Sequence, residues 1–229
     1  MSTSSRQRIL ARVRAATRAD SNDYAALPRS YTHNGTLDEE GRLHLMADRL
    51  REYGAEVVES SAGDLPSLMA HRLLESGRHH FVAPPGLPAE WLPPSLSWKL
   101  DDTLGHEEIE RCGGVITGAS AGIADSGTIV LHHGPLEGRR IITLLPDFHL
   151  CILRASQIVE TLPEYFARFP QAPRLATYIS GPSATADIEM TRIKGVHGPR
   201  FLSVIVVRDE PTRAEIQSST NEAARHDAI

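Results

Sequence analysis

The segments Ala55-Glu56-Val57-Val58-Glu59, Gly63 to Glu75 and His79-His80-Phe81-Val82-Ala83 decide the fold class. The outer two are short apolar strand candidates and the middle one is a helix candidate, so the order is strand, helix, strand. Crossovers between parallel strands are strongly right-handed and lay the helix on a sheet face, so a parallel sheet with flanking helices follows.

Working upstream, Thr36-Leu37-Asp38-Glu39 opens a helix in which Leu43, Met46, Leu50 and Tyr53 recur at helical spacing, and Gly54 ends it. Before it, residues 20–34 are rich in turn formers and read as a linker. An N-terminal helix starts near Ser4 or Ser5 and carries Arg6, Arg8, Arg12, Arg14 and Arg18 mostly on one side. That side is a solvated face or a dock for an acidic partner protein.

Working downstream, residues 84–94 hold five prolines and form an irregular loop that Trp91 and Trp98 anchor. A short helix begins at Asp102, and Gly113-Gly114 breaks it before a strand at Val115-Ile116-Thr117. The small residues from Ala119 to Ala124 read as a helical turn. Strands at Gly127–Leu131, Ile141–Leu145 and Leu150–Leu153 follow without intervening helices, which predicts antiparallel pairing grafted onto the parallel sheet. A helix over Glu160–Phe169 leads to a buried strand at Leu175–Ile179, which Gly181-Pro182 ends because proline cannot donate to a sheet ladder. A helix beginning at Ser183 or Thr185 and a last strand at Leu202–Val207 complete the expectation. The class is α/β: a mixed, mainly parallel sheet flanked by helices, with an N-terminal helical extension. The expected divisions are 1–34 for helix and linker, 35–209 for the main domain and 210–229 for a polar tail.

Composition narrows the function. A net charge of −5 over 229 residues offers no broad attraction to phosphate backbones, which argues against nucleic acid. No apolar run approaches a membrane span, and the start lacks a secretory apolar stretch, so a cytoplasmic location is expected. The two cysteines, Cys112 and Cys151, cannot supply the four thiolates an iron–sulfur cluster normally takes. Any such cluster belongs to a partner, and no cofactor is expected in this chain.

The candidate site is Ser180-Gly181-Pro182-Ser183-Ala184-Thr185-Ala186-Asp187-Ile188-Glu189, followed by Gly195-Val196-His197-Gly198-Pro199. A helix start capped by Ser183 or Thr185 would aim backbone N–H groups at a small carboxylate or phosphate. Ligands of open α/β sheets bind beyond the carboxyl ends of the strands, which would put Thr117 and Ser120 at the same rim as Ser180, Gly181 and Ser183. Asp125 is a partly buried base or a turn cap, and Glu189 and His197 are the other acid–base candidates. His197 alternatively fixes its loop by a hydrogen bond. His132, His133, His149, His197 and Asp125 raise the question of a metal, but no ligand spacing supports one.

The second motif, Gly114 to Leu131, joins the first in a chain that resembles the LUD domain of the lactate-utilisation proteins, over about Gly35 to Val207. In that pattern a basic residue stands where this chain has Ala184, and a glutamate where it has Asp125. The resemblance implies the fold shared by glucosamine-6-phosphate deaminase, ribose-5-phosphate isomerase and the CoA transferases. It also implies an accessory or substrate-binding part in oxidation of L-lactate to pyruvate beside iron–sulfur partner proteins. A stand-alone isomerase, hydrolase or acyl-transfer enzyme, and a non-catalytic metabolite sensor, are the alternatives that the fold also admits.

Overall fold

Alternating side chains on two central strands organise the molecule. The computed structural model describes residues 4–17, 30–171, 173–186, 192–194 and 198–209. The chain divides into two units, residues 1–32 and 33–229. The first contains helix α1 (Ser5–Thr17).

In the second unit, α2 (Glu39–Glu52) starts where Asp38 accepts a hydrogen bond from the Gly41 N–H, and it buries Leu43, Met46, Ala47 and Leu50. This is the spacing of one helical face. Strand β1 (Glu56–Ser61), helix α3 (Leu65–Glu75) and strand β2 (His80–Ala83) follow as the sequence predicts. After β3 (Ser97–Leu100), α4 (His106–Glu110) and β4 (Gly114–Thr117) come β5 (Ala121–Ile123), β6 (Thr128–Leu131), β7 (Phe148–Arg154) and β8 (Ile158–Val159). Helix α5 (Leu162–Arg168), then β9 (Thr177–Ile179), β10 (Ala184–Ala186), β11 (Arg192–Lys194) and β12 (Phe201–Arg208), complete the described elements.

The main sheet has six strands in the order β1-β12-β7-β4-β2-β3. Every pairing in it is parallel. Val57, Val204, Val206, Cys151 and Leu153 point to one face, where α2 packs with Ile129, Leu131 and Ile158. Phe81, Ile116, Leu150, Ile152 and Ile205 point to the other, against Leu65, Met69 and Leu73 of α3. A second sheet of four strands, β8-β5-β6-β9, lies over the α2 face.

Four expectations are corrected. Residues 119–124 are not a helical turn: β5 runs through them and pairs antiparallel with β6. Small residues are needed there for close approach, since a Cβ on Gly122 would lie 2.9 Å from Leu153 Cδ2. Ile141–Leu145 is no strand, because Arg140–Thr143 forms a 3-10 turn. β7 is not an antiparallel addition but a parallel strand between β12 and β4. The β5–β6 hairpin and its following loop take the place of the crossover helix that a parallel connection usually employs. Finally, Ser183 opens no helix over the described residues, for β10 pairs antiparallel with β11.

Candidate functional site

Two depressions flank the starts of β7 and β12, on opposite faces of the main sheet. The larger, about 620 Å³, is lined by Arg72, Arg78 and Arg200 among others. Its cations are neutralised in place: Arg72 pairs with Glu56 and Glu75, while Arg78 and Arg200 share Asp147. The smaller, about 240 Å³, lies between the main-sheet face at His149 and Leu202 and the segment from Thr177 to Ser183. Arg140, Thr143, Gly198 and Pro199 also line it. This second cavity holds the better candidate site, because among the described residues its wall has polar groups but no carboxylate that would repel an anion.

His149 is 1% exposed, on the same sheet face as Thr117 and Cys151. Its Nε2 is 2.8 Å from Thr117 Oγ1. Thr117 Oγ1 donates to Cys151 Sγ at 3.9 Å, and the Cys151 thiol donates to the Gly118 carbonyl at 3.8 Å. Burial lowers the His149 pKa to about 4 and pushes the Cys151 thiol up to about 12, so the ring is neutral and the thiol protonated at pH 7. Among the described residues, Nδ1 of His149 has no partner. His149 is one of the residues that line the cavity.

Two hydroxyl groups of the wall, those of Thr177 and Thr143, are bonded to protein acceptors. His133, in a left-handed conformation with φ 60°, has Nδ1 3.0 Å from the Gly138 carbonyl and Nε2 2.8 Å from Thr177 Oγ1. A carbonyl only accepts, so Nδ1 carries a proton, and in the neutral ring Nε2 accepts from Thr177. Thr143 Oγ1 likewise donates to the Arg140 carbonyl at 2.9 Å. Arg140 is exposed and is one of the residues that line this wall.

The site residues expected from sequence scatter. Ser180, Gly181 and Ser183 line the cavity. Ser180 Oγ lies 2.7 Å from Thr128 Oγ1, and the Ser183 N–H donates to the Pro199 carbonyl at 2.9 Å. That N–H is therefore engaged and cannot serve the expected anion cradle. Thr117 stands behind His149 instead of on the wall. Ser120 donates to the buried Glu137 carboxylate. The shared rim is not formed, because β4 and β9 belong to different sheets and the cavity lies against a sheet face. Asp125 is exposed in the β5–β6 turn, where its N–H donates to the Glu160 carbonyl. Thr185 is in β10, while Glu189 and His197 lie outside the described residues. Among the described residues no group of three His, Cys, Asp or Glu could hold a metal. None of their helices is long and apolar enough to cross a membrane.

Sequence reasoning missed His149 as a wall residue and raised it only as a metal ligand. Its signal was a lone polar residue in the apolar run Phe148 to Leu153, beside a lone threonine ending Val115-Ile116-Thr117.

Residues 47–207 match the LUD domain. A protein named lactate utilization protein C from Deinococcus radiodurans is 43% identical over 169 residues, 72% of this chain and 79% of its own length. Another of that name, from Bacillus licheniformis, is 28% identical over 82% of this chain and 86% of its own. The crystal structure of a DUF162 family protein from Deinococcus radiodurans superposes with a TM-score of 0.63 at 36% identity, covering 75% of this chain and 99% of that one.

Proposed function

The chain belongs to the LUD-domain family, and from that premise we propose that it is an accessory, substrate-binding component of cytoplasmic L-lactate utilisation. It acts beside partner proteins that carry iron–sulfur centres, and the oxidation of lactate to pyruvate takes place on those partners. The observation that carries this reading is the cavity joining Arg140, a neutral His149 and the Thr177–Ser183 segment. Arg140 on its wall offers a positive charge for a carboxylate, and the fixed acceptors suit a hydroxyl group on the same small acid. The names borne by the relatives supply the metabolic context. With two cysteines, the chain has too few thiolates for a four-thiolate cluster of its own.

The expected outcome is that the purified chain is colourless and binds L-lactate, yet gives no lactate-dependent dye reduction until partner proteins are added. Robust reduction by the isolated chain would refute the accessory role. Isomerase, hydrolase or acyl-transfer turnover by the isolated chain would favour the stand-alone enzyme; Asp125, one of its acid–base candidates, is exposed and outside the cavity wall.

A further inference from the structure

Two hydroxyl groups of the cavity wall spend their protons on protein acceptors. Thr177 gives its proton to His133, and Thr143 gives its own to the Arg140 carbonyl. At His149 the chain of donors is continuous when Nε2–H donates to Thr117, Thr117 to Cys151, and Cys151 to the Gly118 carbonyl. Each group then donates once to a group that can accept, and the chain ends on an oxygen that only accepts. Reversing the first bond would spend the Thr117 proton on His149 and forfeit its bond to sulfur. In the continuous direction Nδ1 is left as a bare lone pair, with no partner among the described residues.

We propose that this cavity selects a 2-hydroxy monocarboxylate over the corresponding 2-oxo acid, with Arg140 facing the carboxylate and His149 Nδ1 accepting the ligand's hydroxyl proton. The inference rests on the cavity being the acid-binding site proposed above. A 2-oxo acid brings only acceptor oxygens, so its carbonyl would meet the Nδ1 lone pair and leave both unsatisfied. An acceptor buried without its donor costs about 1–3 kcal/mol, or roughly 5- to 150-fold in affinity. His149 and Thr117 are thus a binding residue and a positioning residue, and Thr117 acts by fixing which imidazole nitrogen holds the proton.

The test combines calorimetry on the full chain, using L-lactate, pyruvate and inorganic phosphate, with histidine side-chain nitrogen NMR. L-Lactate is expected to bind at least about 5-fold more tightly than pyruvate, and His149 to show the Nε2–H tautomer at pH 7. Thr117→Val removes the acceptor that holds Nε2–H, so it should shift His149 toward Nδ1–H and bring the two affinities within about 3-fold. Tautomer and lactate–pyruvate ratio in the unmodified chain stand independently of how well that variant folds. Equal or tighter binding of pyruvate, or an Nδ1–H tautomer, overturns the selectivity while leaving an acid-binding cavity in place. If neither acid binds at millimolar concentration, whether or not phosphate does, both the selectivity and the assignment of the cavity to lactate fail.

Discussion

A neutral imidazole inside a sheet ties stability to pH. The His149 pKa is lowered from 6.5 to about 4 because burial disfavours the charged ring. Between those values the unfolded chain binds a proton that the folded chain refuses. Stability is therefore complete above pH 6.5 and falls as pH drops toward about 4, by up to about 3 kcal/mol in all. His149→Asn keeps an amide that can donate to Thr117 but removes the titrating ring. Urea unfolding at pH 7.5, 6, 5 and 4 should give curves that fall more steeply for the natural chain than for this variant. Parallel curves would show that His149 is not the group responsible. This residue was hard to read from sequence, since Thr117 is separated from it by 32 positions and the two meet only when β4 and β7 pair in parallel. Ser180, Gly181 and Ser183 were legible as a cavity segment because glycine and proline mark a strand end locally.

Among elements, β5 shows what small residues accomplish. Gly122 presses the second sheet onto the first so closely that a Cβ would meet Leu153 at 2.9 Å, and Ile158 and Met46 at 3.3 Å. Gly122→Val should destabilise the molecule by about 1–3 kcal/mol through overpacking, read as a lower urea midpoint with an unchanged denaturant slope. An unchanged midpoint would mean that the two sheets can part at little cost. Elements whose signal is local were legible: α2 through Leu43, Met46 and Leu50, although Tyr53 of the same expected set caps the helix and is exposed, α3 behind β1, and β12 as an apolar run. The errors fall where tertiary pairing decides. Ala121 and Gly122 have weak strand preference, and only the partners β6 and β8 make β5 a strand. β7 was legible as a strand but not as a central one, since direction and neighbours depend on residues 81–117 and 201–207.

At the scale of the whole molecule, charge and burial are divided unequally between the two units. Residues 1–32 contain six arginines and two aspartates, so residues 33–229 hold a net charge of −9. Every described side chain in residues 1–32 is exposed, including Ile9, Leu10 and Val13 of α1, at 62%, 40% and 53%. The apolar clusters all draw their buried residues from 43–207. A core complete without α1 predicts that removing residues 1–32 leaves cooperative unfolding intact, with a stability change within about 0.5 kcal/mol, as for surface substitutions. Affinity for L-lactate should also be retained, because every wall residue of the cavity lies between 140 and 202. The measurements are urea unfolding and lactate calorimetry on the shortened chain beside the full one. Loss of the cooperative transition would show that the N-terminal unit completes the core. Retained folding with lost lactate binding would instead assign the arginine-bearing helix a part in holding the ligand.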